Sequence, residues 1–120
     1  MINNCEKYPD KGPTQLIKLL FHGSGRGGAT PKVIYESEDG LDIRFAQFGN
    51  SGQGTYFADN SQYSHTYAYL KNDGGEQVYQ MFVCFVLPGE TVQDPPDPRH
   101  LRIPPFKNGQ DGVRYDSVGQ

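Results

Sequence analysis

The sequence predicts a small α+β domain, and three observations carry that expectation. Two apolar runs, Leu-Ile-Lys-Leu-Leu-Phe at 16–21 and the stretch at 78–87, have strand character. An Asp-Asn pair at 59–60 gives a helix-start signal. The chain of 120 residues carries 15 Gly and 9 Pro, so loops join few packed elements. That length fits one domain, 1–120, with a modest core.

In chain order, residues 1–14 are polar, contain Pro9 and Pro13, and read as an irregular lead-in. The strand at 16–21 is nearly all apolar, which predicts a central position. It ends at His22-Gly23, and a glycine-dense loop runs to Ala29. Pro31 suits the first turn of a short helix reaching Asp39 and stopping at Gly40. Residues 41–53 read as a loop able to lie over a site. Residues 55–58 read as strand, followed by a helix from Asp59 or Asn60 to Leu70. On that helix Ser64 and Tyr67, three apart, share a face. Asn-Asp-Gly-Gly at 72–75 is a turn. The run 78–87 is the longest strand candidate, with the strongest core character. Proline-rich coil follows, and 113–118 begins a last strand.

Composition excludes several function classes. A net charge of −3 without a Lys/Arg run disfavours nucleic-acid binding. No apolar run reaches membrane-spanning length. Cys5 and Cys84 do not make a disulfide framework, and no signal-peptide pattern is present, so an intracellular setting in cytoplasm or nucleus is expected. His22, His65 and His100 have no partner at ligand spacing, so no metal is expected. Glu36, Glu38, Asp39 and Asp42 read as a solvated helix face and its end.

Gly-Ser-Gly-Arg-Gly-Gly at 23–28 satisfies G-x-G-x-x-G, but the chain is too short for a doubly wound sheet, and the loop reads as flexible. His22 ends a strand and precedes a glycine; the pattern fits either a satisfied core histidine or a site where ligand meets backbone. Tyr56, Tyr63 and Tyr67 fit either core rings or, for Tyr56 and Tyr67 with Ser64, a slot for a flat amide-bearing ring.

Taken in order, His-Gly-Ser at 22–24, Gly-Leu-Asp-Ile-Arg at 40–44, Gly-Gln-Gly-Thr-Tyr-Phe-Ala at 52–58 and Ser-His-Thr-Tyr at 64–67 resemble the poly(ADP-ribose) polymerase-type ADP-ribosyltransferase catalytic domain. Met-Phe-Val-Cys-Phe-Val-Leu-Pro-Gly at 81–89 and Tyr-Asp-Ser-Val at 115–118 continue the resemblance. It implies a split antiparallel sheet with short helices, and NAD as the substrate. His22 would bond a ribose hydroxyl and Gly23 would grip the nicotinamide carboxamide, beside Ser24 where the family often has threonine. Tyr56 would flank the nicotinamide, with Ala58 closing that motif on the donor side. Ser64 would donate to the carboxamide, Tyr67 would stack, and Arg44 would face the phosphates. The Tyr-Ser pair at 63–64 looks more like the mono-ADP-ribosyl branch, with a protein acceptor. The family's third signature residue lies on a strand after Tyr-Asp-Ser-Val, so the resemblance implies a fragment or a minimal form ending at Gln120. A non-catalytic NAD- or ADP-ribose-binding module, or an inactive fragment of such an enzyme, is the alternative expectation.

Overall fold

The computed structural model describes residues 16–25, 30–108 and 112–120. Cys5, the lead-in and the end of the 23–28 glycine loop lie outside the described residues. Two compact units emerge: one of Leu19–Gln47 and Gly54–Cys84, the other including Phe48–Gln53 and Phe85–Gln120. Among the described residues, eight short strands and two short α-helices give an α+β composition, in two-stranded sheets.

Strand β1 (Lys18–His22) neighbours β6 (Phe82–Val86). The expectation that both runs form core needs correction. Leu19 is 53 % exposed and Phe85 is 82 % exposed. A two-stranded pair offers each strand one neighbour, and along β6 the side chains alternate between part-buried and exposed. The buried large apolar side chain among the described residues is instead Ile34. It sits in helix α1 (Pro31–Glu36), whose N-cap Thr30 accepts the Val33 N–H. The helix stops before Asp39 because Ser37 takes an extended conformation and its hydroxyl accepts the Asp39 N–H.

The strand expected at 55–58 is reduced to one bridge, Phe21 to Ala58. Helix α2 (Ser61–His65) begins as expected, with Asn60 Oδ1 accepting the Gln62 N–H at 2.8 Å. It ends five residues short of Leu70. Tyr69 already starts strand β4 (Tyr69–Asp73), paired antiparallel with β5 (Glu76–Gln80). Threonine and tyrosine are poor helix formers, and a strand partner outbids them. Asp73 opposes Glu76 across a turn in which Gly74 and Gly75 both take positive φ, the backbone of a tight hairpin. The run 78–87 is thus two strands, β5 and β6, separated at Met81.

The second unit contains the turn between β2 (Gln47–Gly49) and β3 (Gly52–Gly54), and the Gln53 N–H donates to the Leu101 carbonyl. Strand β7 (Thr91–Gln93) pairs parallel with β8 (Ser117–Gly119), a departure from a purely antiparallel sheet. The proline-rich stretch between them supplies the long connection that parallel pairing requires. Asp116, the late acid of the sequence, accepts the Glu90 N–H and fills the space beside Gly89. Arg114 donates to the Pro104 carbonyl and lies over the Phe106 ring, while Lys107 pairs with Glu90.

Candidate functional site

All eight residues singled out in the sequence fall in the first unit: His22, Gly23, Ser24, Arg44, Tyr56, Ala58, Ser64 and Tyr67. Seven of them are tied together through the end of β1.

Phe21 and Ala58 exchange two backbone hydrogen bonds, 2.7 and 2.9 Å. This bridge lays the Tyr56 segment beside β1. One residue on, His22 Nδ1 lies 2.6 Å from the Tyr56 carbonyl. A carbonyl only accepts, so Nδ1 carries the proton, and in the neutral ring Nε2 is left as an acceptor. The His22 ring is flanked by Phe57 and Phe82 at centroid distances of 5.5 and 6.4 Å.

Helix α2 brings in the remaining residues. Ser64, 3 % exposed, donates its hydroxyl to the Phe21 carbonyl at 3.1 Å. The same carbonyl accepts from Ala58, so a single backbone oxygen joins the strand end, the Tyr56 segment and the helix. Beyond the helix, the Tyr67 N–H donates to the Ser64 carbonyl, and the Tyr67 carbonyl accepts the Gly25 N–H at 2.7 Å. Tyr67 therefore stands on a pinned turn rather than on the helix face that its spacing from Ser64 suggested.

Gly23 has a packing reason besides the one its sequence context suggested. A Cβ there would lie 2.5 Å from the Tyr67 carbonyl carbon and oxygen, and 2.7 Å from the Ser64 oxygen. It is the backbone of the α2–β4 turn that needs the space. Gly25 is alike, with the Ala68 oxygen 2.4 Å from its would-be Cβ. Ser24 between them is 5 % exposed, and its buried hydroxyl has no hydrogen-bond partner among the described residues. Such an orphan is costly unless a polar group meets it.

Tyr63 was not among the residues expected at the site. Its ring centroid lies 5.6 Å from that of Tyr67, tilted by 49°. The neighbouring Tyr67 phenol, first, and the Tyr56 phenol raise the Tyr63 pKa above the ordinary tyrosine value. The sequence signal was the i, i+4 spacing of Tyr63 and Tyr67 at a helix end.

Arg44 is held apart from this assembly. Asp42 Oδ2 accepts from its Nε and Nη2 at 2.9 and 2.6 Å, and Asp39 accepts from Nη2 at 3.1 Å. The Asp42 side chain is 12 % exposed and that of Arg44 71 %, and the bond to the guanidinium holds the carboxyl below its usual range. Among the described residues no group of three or more His, Cys, Asp or Glu is placed to hold a metal, and no helix is long and apolar enough to cross a membrane.

His22, Tyr56 and Ser64, which carried the resemblance in the sequence, thus come together at the end of β1. The sequence matches the family model for the poly(ADP-ribose) polymerase catalytic domain over residues 3–111. It is 38 % identical over 97 residues, 81 % of this chain, to a probable poly [ADP-ribose] polymerase of Dictyostelium discoideum. The chain belongs to the poly(ADP-ribose) polymerase catalytic-domain family. It spans 27 % of that relative's length. No solved structure matches the chain significantly.

Proposed function

We propose that the chain is an ADP-ribosyltransferase catalytic domain that transfers a single ADP-ribose unit from NAD to a protein acceptor with release of nicotinamide. The observation that carries this reading is the joining of His22, Tyr56 and Ser64, far apart in sequence, through the carbonyls of Tyr56 and Phe21. Family membership adds to it. The low cysteine count supports an intracellular setting.

The residues fit a nicotinamide carboxamide. The unpartnered Ser24 hydroxyl lies next to Gly23, whose backbone would grip the amide. Ser64 would turn its proton from the Phe21 carbonyl to the carboxamide oxygen. Tyr67 would stack on the pyridine ring, with Tyr56 on the other side. His22 Nε2 would accept from a ribose hydroxyl, its tautomer fixed through Nδ1. Arg44 would exchange the carboxylates of Asp39 and Asp42 for phosphate oxygens. NAD itself supplies the glycosidic bond whose cleavage develops positive charge on the sugar. The contribution of the chain is orientation: backbone and ring contacts fix the leaving group without needing a titrating side chain.

Two measurements test this. Benzamide, a nicotinamide mimic, is expected to raise the melting temperature, since ligand at a hundred times Kd stabilises by about 2.7 kcal/mol. In Tyr67→Ala the shift should vanish while the unliganded fold persists; equal protection of both proteins would refute the slot. Incubation with labelled NAD should then leave covalent label on protein. Binding without any label would favour a non-catalytic NAD-binding module.

A further inference from the structure

We propose that Ser37 is a phosphorylation site, and that phosphate there captures Arg44 and so weakens NAD binding. The inference rests on the function proposed above, in which Arg44 meets the NAD phosphates, and adds regulation to that site.

A hydroxyl at the end of a helix and a guanidinium seven residues on share one acid. Ser37 follows α1, extended at φ −82° and ψ 142° and exposed, so it can enter a kinase cleft without any unfolding. Its Oγ accepts the Asp39 N–H at 3.1 Å. The Asp39 carboxylate in turn accepts from Arg44 Nη2 at 3.1 Å. Asp39 therefore links the serine to the arginine. The turn closes on its own backbone, with the Gly40 N–H on the Ser37 carbonyl and the Asp42 N–H on the Gly40 carbonyl. Acids flank the serine on both sides, Glu36, Glu38, Asp39 and Asp42, and Arg44 is the one cation in the sequence from 36 to 44. Kinases select substrates partly by charge pattern, and this pattern fits one with a basic substrate groove. In the transfer, Ser37 Oγ attacks the γ-phosphorus of ATP, a base of the kinase takes the hydroxyl proton, and the bond to the departing ADP breaks.

The product changes the balance at Arg44. Phosphoserine brings close to two negative charges and three acceptor oxygens. The carboxylates hold Arg44 through Nε and Nη2, and both members of its pair with Asp39 are exposed. Such pairs are weak. A phosphate takes a guanidinium through two parallel bonds and displaces Asp39. Arg44 is then occupied by the kind of group that NAD would have to offer it. Among the described residues the Ser37 hydroxyl bonds only its own turn, so the nicotinamide half of the site is left alone.

The test starts from the intact protein, ATP and an acid-directed protein kinase, with the modified residue mapped by mass spectrometry. Phosphate is expected on Ser37, and a protein left unmodified there would overturn the proposal. Phosphorylated and unmodified protein are then titrated with NAD and with benzamide in a calorimeter. NAD should bind about threefold to tenfold more weakly, the range of one charge-assisted contact, while benzamide holds. Arg44→Gln supplies a second background, in which NAD starts weaker and phosphate should weaken it no further. An equal loss in both backgrounds would show general repulsion of an anionic ligand and overturn the capture of Arg44. Benzamide weakened in step with NAD would do so as well, by showing a disturbed fold. An unmodified protein that binds neither ligand sinks the proposed function and this inference with it. NAD and benzamide binding that both ignore the phosphate sink this inference alone.

Discussion

The turn at His22 and the loop at Arg44 belong to the same compact unit, yet they are held together in opposite ways. His22 bonds a residue 34 positions away and Ser64 one 43 positions away. Arg44 finds its carboxylates two and five residues back. The first arrangement exists only when the unit is folded, because each bond closes a long loop whose entropy the rest of the packing must offset. The second needs nothing beyond its own segment. A polar cluster built from afar is a property of the fold, and one built locally is a property of the segment.

The sharpest way to break this contrast is at Gly23. Gly23→Ala places a methyl group against backbone atoms of Ser64 and Tyr67, at 2.7 and 2.5 Å, and backbone cannot swing aside as a flexible side chain does. The α2–β4 turn has to move, and the Tyr67 ring moves with it. Overpacking of this kind is expected to cost about 3 kcal/mol or more in urea unfolding, with loss of benzamide protection. Gly74 is the control, for a Cβ there meets nothing within 4 Å and only its positive φ resists substitution. Gly74→Asn should be nearly silent, since asparagine tolerates that conformation. Equal effects at the two glycines would mean that the close approach at Gly23 is not real.

His22 comes next in size. His22→Leu keeps the bulk between Phe57 and Phe82 but leaves the Tyr56 carbonyl without its donor. A stability loss of about 1–3 kcal/mol is expected from that unpaired group. His22→Asn carries an amide N–H in the region of Nδ1 and should recover much of the loss, while lacking any counterpart of Nε2. Stability restored without NAD turnover would separate the two nitrogens, one serving the fold and the other the ribose. If Leu and Asn were equally stable, the bond to Tyr56 would have no weight in the fold.

These cases show what was legible in the sequence. Local signals were: Asn60 caps its helix and Pro31 opens one, because a cap is a contract between neighbours two or three residues apart. The ordered motifs identified the family and the residues gathered at β1. The end of α2 was not legible. Whether residues 66–70 extend a helix or start a strand depends on β5, which pairs Tyr69 with Gln80. Nor was the crowding at Gly23, since the atoms it makes room for lie some forty residues downstream. The core placement of 16–21 and 78–87 failed for a related reason. Hydrophobicity records what a strand can bury, not how many neighbours its sheet provides.

The smallest effect is expected at Asp42, and its smallness is what the comparison requires. Asp42→Asn keeps an oxygen to accept the Arg44 N–H, so the cap of the short helix at Ile43–Phe45 survives while the charge on the guanidinium's partner is lost. Exposed ion pairs contribute little and are screened by salt. At neutral pH the melting temperatures of the two proteins should agree closely. The sign of any difference is fixed. The folded carboxyl titrates below its ordinary 3.8, so whatever it contributes is present above that value and fades as pH falls through the lower, folded one. A gap between the two proteins should therefore close in acid and in high salt. Losing the Asp42 charge also loosens the hold on Arg44, with Asp39 still accepting from it, so the proposed function predicts somewhat tighter NAD binding in Asp42→Asn. A loss of stability as large as that of His22→Leu, insensitive to salt, would show that the Arg44 loop is held by the fold after all, and the contrast between the two regions would fail.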